Sequence, residues 1–223
     1  MAKNPGSPTL TPAREGKAGD KKSARTRVRI LDAAAQVLSA KGYAGMRLSD
    51  VAEVAELQAP AIYYYFPSRD DLIEEVMWVG LAEMREYLTQ ALAAAPAEAT
   101  AMERILIGVE THLRHELEIS DYTTAAIRNA GQLPDQIRER HDAEEKKYGA
   151  VWRELFKAAA ASGELREDLD PYLAQMLVMG TINWTAEWWQ PNRATIDRVV
   201  ANAQSFVENA LSPTARTGLR PAR

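Results

Sequence analysis

Between Arg47 and Phe66 the sequence reads RLSDVAEVAELQAPAIYYYF, and the proline inside it limits what this chain can fold into. Pro60 holds its own φ at about −65° and disfavours helix for Ala59, so no helix runs through this point. A new helix starts with Pro60 in its first turn. A buried strand is the alternative for so aromatic a run, but proline removes a ladder hydrogen bond there. Upstream, Leu48, Val51, Ala52 and Ala55 recur at helical spacing. Downstream, Ile62 and Phe66 lie four apart on one face as core anchors, while the three tyrosines fan over the rest at ~100° steps. A helix this short cannot bury all three. The pattern predicts two short helices, over 47–55 and 60–66, joined by a few residues.

The surrounding sequence is helical too. In TRVRILDAAAQVLSAKG, Ile30, Ala34 and Leu38 pair with Leu31 and Ala35 in an amphipathic helix that Lys41 and Gly42 close. Ser68, with Asp71 three residues on, predicts an N-cap for a helix running to Ala95 and stopped by Pro96. Thr100 and Glu103 form a capping box for a helix to about Ile119, and Ser120 opens another that ends at Gly131. A long helix follows from LPDQIRER to Gly163, then a strongly apolar one in DPYLAQMLVMGTINWTAEWWQ, and a last one in TIDRVVANAQSFVENAL. No segment alternates as a strand does. The expectation is an all-α protein of about nine helices, with a flexible basic arm over 1–23 and a flexible basic tail over 212–223.

Charge is unevenly placed. Residues 1–70 hold eleven Lys/Arg against seven Asp/Glu, a balance of +4, while the rest carries −8 and the whole chain −4. A basic head on an acidic body suits a nucleic-acid partner better than the net charge does, the other reading being a solvated tail. Cysteine is absent, which rules out disulfides and thiolate chemistry and suits a reducing cytoplasm. The opening residues lack the apolar core of a signal peptide, and no run is apolar for the ~18 residues a membrane span requires. Neither a Gly-rich phosphate loop nor a Gly-x-Ser-x-Gly nucleophile motif is present, so no enzyme, no catalytic residue and no cofactor is expected. His112, His115 and Glu116 lack a third histidine at useful spacing and read as a solvated helix face, not a metal site. Glu144 and Glu145 read as part of a surface ion-pair face.

A longer helix followed by two short ones is a helix-turn-helix arrangement, in which the second short helix enters the major groove of DNA. Over 26–72 the sequence resembles the DNA-binding head of the tetracycline-repressor (TetR) family. The resemblance rests on Val51-Ala52, Ala55, Leu57, Ile62-Tyr63-Tyr64, Phe66, Ser68-Arg69 and Leu72. Three positions depart from the family pattern: Glu56 stands where a turn glycine is usual, Gln58 where serine is, and Tyr65 where histidine is. The resemblance implies that Arg47, Ser49, Gln58, Ala59, Pro60, Ala61, Tyr63, Tyr64, Tyr65 and Arg69 face DNA. Tyrosine hydroxyls and Arg69 suit phosphates, Pro60 and Ala61 a thymine methyl, Gln58 and Arg47 base edges.

The resemblance further implies a division into a DNA-binding domain over 24–70, with its motif at about 47–66, and a larger ligand-binding and dimerisation domain over 71–211. It implies a ligand-responsive transcriptional regulator, a repressor released from a palindromic double-stranded operator by an apolar small molecule, working as a homodimer in the cytoplasm. The last two long helices are the dimer elements, because a segment apolar nearly all round is unsuited to the outside of a monomer. GTINWTAEWW is similar to the corresponding part of TetR-like repressors that respond to acyl-CoA thioesters. Met84, His112, Ile127, Trp152, Phe156, Met176, Met179, Asn183 and Trp184 are the expected inward-facing cavity residues.

Overall fold

The computed structural model describes residues 16–213, which form nine helices of seven or more residues plus a one-turn segment. In order these are α1 (Gly16–Gly45), α2 (Leu48–Val54), α3 (Ala59–Tyr65), α4 (Arg69–Ala93), α5 (Ala101–Arg114), α6 (Asp121–Asn129), α7 (Glu139–Ala161), α8 (Pro171–Asn183), the single turn α9 (Thr185–Trp188) and α10 (Ile196–Leu211). Among the described residues there is no strand. The all-α expectation holds.

Caps set several boundaries as expected. The Ser68 hydroxyl accepts from the Asp71 N–H, the Thr100–Glu103 capping box is complete, and Ser120 and Asp170 accept from Thr123 and Leu173. Gly42, at φ 70°, breaks α1 where a stop was expected. Other boundaries differ. Residues 16–23, expected in the loose arm, belong to α1, because no proline lies between Pro12 and Gly45 and lysine and alanine favour helix; residues 1–15 and 214–223 lie outside the described residues. The helix expected to reach Ile119 widens after Arg114 into a π turn, His115–Ile119. The long helix starts only at Glu139, since Leu133 and Pro134 are extended. The apolar helix ends at Asn183, before its expected stop at Pro191.

The α2–α3 turn carries the one positive φ on a non-glycine among the described residues: Glu56, at 52°. The left-handed conformation costs such a residue about 1 kcal/mol. Glu56→Gly is therefore expected to raise stability by about 1 kcal/mol, or roughly 2–4 °C in Tm for a chain of this size, in a thermal melt. An unchanged Tm would show that the turn carries no such strain.

Two apolar cores share α4. The first joins Ile30, Leu31, Leu38, Val51, Ile62 and Phe66 of the head to Leu72, Ile73, Val76, Met77 and Leu81 of α4, and takes in Ala125 and Ala126 of α6. The second runs from Met84 and Leu88 of α4 through Ile105, Trp152, Phe156, Ile182 and Val200. The changeover lies between Leu81 and Met84, inside one helix. A continuous helix crossing two cores can transmit a displacement from one to the other.

Candidate functional site

The two short helices present a polar and aromatic face. Ile62 is fully buried and Phe66 nearly so, which turns Tyr63 and Tyr64 outward at 57% and 82% exposure. Arg47, Ser49, Gln58 and Pro60 are exposed on the same unit, while Ala59, Ala61 and Tyr65 are half-buried. Tyr65 packs against the head core and meets Tyr64 edge-on, ring centroids 5.1 Å apart. A side chain so packed has less reach to a partner than its two neighbours.

Arg69, expected at a phosphate, is also engaged within the head. Its Nε donates to the Met46 carbonyl at 3.1 Å, another guanidinium nitrogen donates to the Tyr43 carbonyl, and a third meets Asp70 at 3.1 Å. The guanidinium also lies 4.5 Å over the Tyr43 ring. With its donors directed inward, Arg69 welds the start of α4 to the α1–α2 connection.

From the other side, α6 grips the same region. Asn129 accepts from the Tyr43 N–H at 2.7 Å, and Arg128 donates to the Ser39 carbonyl at 3.0 Å and to the Ala186 carbonyl of α9. Arg128 also stands 3.5 Å from Glu187. Thus α4 is the covalent link between head and body, but α6 is a second mechanical one, tying the end of α1 to α9. No local sequence signal marks Arg128 or Asn129 for this, because their partners lie between 58 and 91 residues away.

Of the expected cavity residues, Met84, His112, Trp152 and Phe156 are buried together in the second core, with Met179 and Ile127 packed partly against it. Asn183 is half-buried, with its Oδ1 buried and unpaired. Met176 and Trp184 do not face inward: they are 49% and 66% exposed. On α8 the buried line is Ala174, Gln175, Val178 and Ile182, and the equally apolar opposite side points to solvent. There Leu177, Trp184, Trp188 and, from α10, Phe206 line an outward groove of about 870 Å³ with Arg193 and Arg198 among its polar members.

The expected solvated face at His112, His115 and Glu116 is instead interior. His112 Nδ1 lies 2.8 Å from the Tyr148 hydroxyl, and its Nε2 lies 3.5 Å from a Glu116 oxygen. Neither Glu116 oxygen has a hydrogen-bond partner, nor has His112 Nε2 or Trp152 Nε1. Burial pushes the Glu116 carboxyl toward its protonated form, opposed by His112 and Arg128. Burial, and then the neighbouring His112, lower His115 to about 4, and its Nδ1 lies 2.8 Å from Thr123 Oγ1. The i, i+4 spacing of His112 and Glu116 was visible in the sequence; their burial, set by α7 closing over them, was not. Glu144, too, is buried rather than on a surface face: burial raises its carboxyl, but Lys147 and Arg85 outweigh that and hold it below the usual range.

Residues 30–76 match the family described as bacterial regulatory proteins, tetR family, and residues 98–210 match the tetracyclin repressor-like C-terminal domain. The fatty acid metabolism regulator protein of Bacillus subtilis (strain 168) is 26% identical over 187 residues, covering 83% of this chain and 93% of that protein. The HTH-type transcriptional repressor KstR2 of Rhodococcus jostii (strain RHA1) is 21% identical over 201 residues, covering 83% and 91%. Among solved structures, AibR in complex with isovaleryl coenzyme A and operator DNA is similar with a TM-score of 0.73 at 20% identity, over 81% of this chain and 97% of that one. No helix among the described residues is long and apolar enough to cross a membrane. With a helix-turn-helix head and a C-terminal match that spans just over half of its length, the protein belongs to the tetR family of bacterial transcriptional regulators.

Proposed function

We propose that the protein is a homodimeric repressor that leaves its operator when an acyl-CoA thioester enters the second core. The observation that carries the effector reading is the set of buried polar atoms without partners, Glu116, His112 Nε2 and Trp152 Nε1, inside an apolar cluster. Each such atom costs about 1–3 kcal/mol when left unpaired, so a ligand that meets them gains that back on binding. A neutral carbonyl accepts from Trp152 Nε1–H or from a protonated Glu116. A free carboxylate brings a second acid beside Glu116 and is disfavoured. Ligands of this kind fit the relatives, one a fatty acid metabolism regulator and one structure holding isovaleryl coenzyme A.

A thioester that favours one arrangement of α4 and α6 weakens DNA binding by the same factor that DNA weakens thioester binding, about 5–150-fold for a coupling of ~1–3 kcal/mol. The test is an anisotropy titration of the complex with a palindromic duplex selected by the protein itself. Acyl-CoA thioesters of varied chain are added against their free acids at fixed salt. Release by a thioester and not its acid is the expected result. Absence of release by every thioester, with no heat of binding, removes this effector class.

The dimer is formed by the outward faces of α8 and α10, and Gly180, with nothing within 4 Å of a built Cβ, leaves room for a partner helix to come close. Two heads related by a two-fold axis then read half-sites ~34 Å apart. On each head, Tyr63 and Tyr64 hold phosphates, and Gln58 and Arg47 reach base edges. Tyr63→Phe is expected to weaken selected and random duplexes alike, since a phosphate contact is blind to sequence. Gln58→Ala is expected instead to flatten preference among operator variants by about 1–3 kcal/mol at one position. If Tyr63→Phe lowers Tm and leaves both affinities unchanged, the tyrosine is a packing residue.

A further inference from the structure

The first two turns of α7 hold three side chains that DNA binding, dimerisation and the effector core leave unused. His141, Asp142 and Glu145 each bring a ligand atom within 4.8 Å of the other two, although the sequence pattern suggested no metal cluster. His141 is 2% exposed, and neither of its ring nitrogens has a hydrogen-bond partner. Its Nδ1 faces Asp142 Oδ1 at 3.5 Å, beyond a good hydrogen bond. A covered imidazole with both nitrogens unpaired is an unfavourable arrangement that a cation relieves.

We propose that His141, Asp142 and Glu145 bind a divalent transition-metal ion, with zinc the best-fitting common one. A mixed set of one imidazole and two carboxylates suits Zn²⁺, whereas calcium and magnesium prefer oxygen alone. Zinc bonds of about 2.0–2.2 Å place tetrahedral ligand atoms roughly 3.4 Å apart, so no pair has to close by more than about 1.4 Å, and His141 Nδ1 and Asp142 Oδ1 already stand at 3.5 Å. Water takes the fourth position. Asp142 is half-buried and Glu145 exposed, which gives the ion a way in from solvent to the covered imidazole. The metal then stiffens the turn beside Arg140, which pairs with Glu75 of α4 at 2.7 Å and covers the Trp78 ring. Glu75 in turn meets Arg27 of α1 at 3.2 Å.

The chain has no cysteine and three histidines, so the binding site can be assigned. The experiment is calorimetric titration of the tag-free, EDTA-treated full chain with zinc chloride, beside Glu145→Gln and the double variant Asp142→Asn/Glu145→Gln. These substitutions fall on solvent-facing groups, and circular dichroism of the metal-free forms confirms that they fold. One zinc per chain is expected, with affinity reduced about tenfold or more on loss of these ligands and a zinc-dependent shift of the His141 ring signals in NMR. No binding at sub-millimolar zinc overturns the proposal. So does binding that the double variant leaves intact, which would move the metal to His112 or His115.

Discussion

Leu177→Glu is expected to give a folded monomer that no longer holds its operator. Leu177 is 70% exposed, in a line with Leu173, Met176, Trp184 and Trp188, with Phe206 of α10 alongside. In one chain this position is already in water, so a glutamate there disturbs nothing in the fold. In the dimer proposed above it becomes a carboxylate taken out of water without a partner, at a penalty of several kcal/mol. Two-fold symmetry applies that penalty twice. Since each 1.4 kcal/mol is tenfold, dimerisation weakens by roughly a thousandfold or more. A single head then meets a single half-site, and the gain from linking two contacts is lost. Sedimentation velocity at micromolar protein and anisotropy on the palindromic duplex measure the two effects. A variant that still sediments as a dimer puts the dimer face elsewhere.

Gly80→Ala is expected to be the most damaging small substitution in the α4–α6 contact. A Cβ on Gly80 would stand 2.6 Å from the Tyr122 carbonyl carbon and 3.0 Å from the Ala126 Cβ. The first obstacle is backbone of α6 and cannot swing aside. The Gly80 carbonyl also accepts from Thr123 Oγ1 at 3.1 Å, so parting the helices loses that bond too. Overpacking of this kind costs about 1–3 kcal/mol or more. At about 2–4 °C per kcal/mol, a clear drop in Tm follows. Because α6 holds the end of α1 through Arg128 and Asn129, operator affinity should fall as well, with no DNA-facing residue altered. A wild-type melt for the variant would show that the two helices part freely.

How much of this was legible beforehand depended on how far apart in sequence the deciding atoms lie. Pro60, the Ser68 and Thr100 caps, Gly42 and the strained Glu56 act within a turn of themselves, and each did what its chemistry requires. The helix-turn-helix unit follows from those signals and from the Ile62–Phe66 spacing, which turns Tyr63 and Tyr64 outward. For α8 the sequence was silent on orientation. A helix apolar on all sides has no period to read, so Met176 and Trp184 were assigned inward, although the packing of Val178 and Ile182 leaves them out. The bonds of Arg69 to the Met46 and Tyr43 carbonyls, 23 and 26 residues away, have no local signal either.

The sequence by itself determined the helical class, the place of the DNA-reading unit and most helix starts, since caps, prolines and periodicity work over a few residues. Tertiary structure alone decided which polar side chains are buried and what they meet. His112, Glu116 and His141 lie on helices whose local pattern would equally suit water; they are interior because α7 crosses α4 and α5 there. Burial depends on which helices pack over a residue, and the contacts that decide it join segments tens of residues apart.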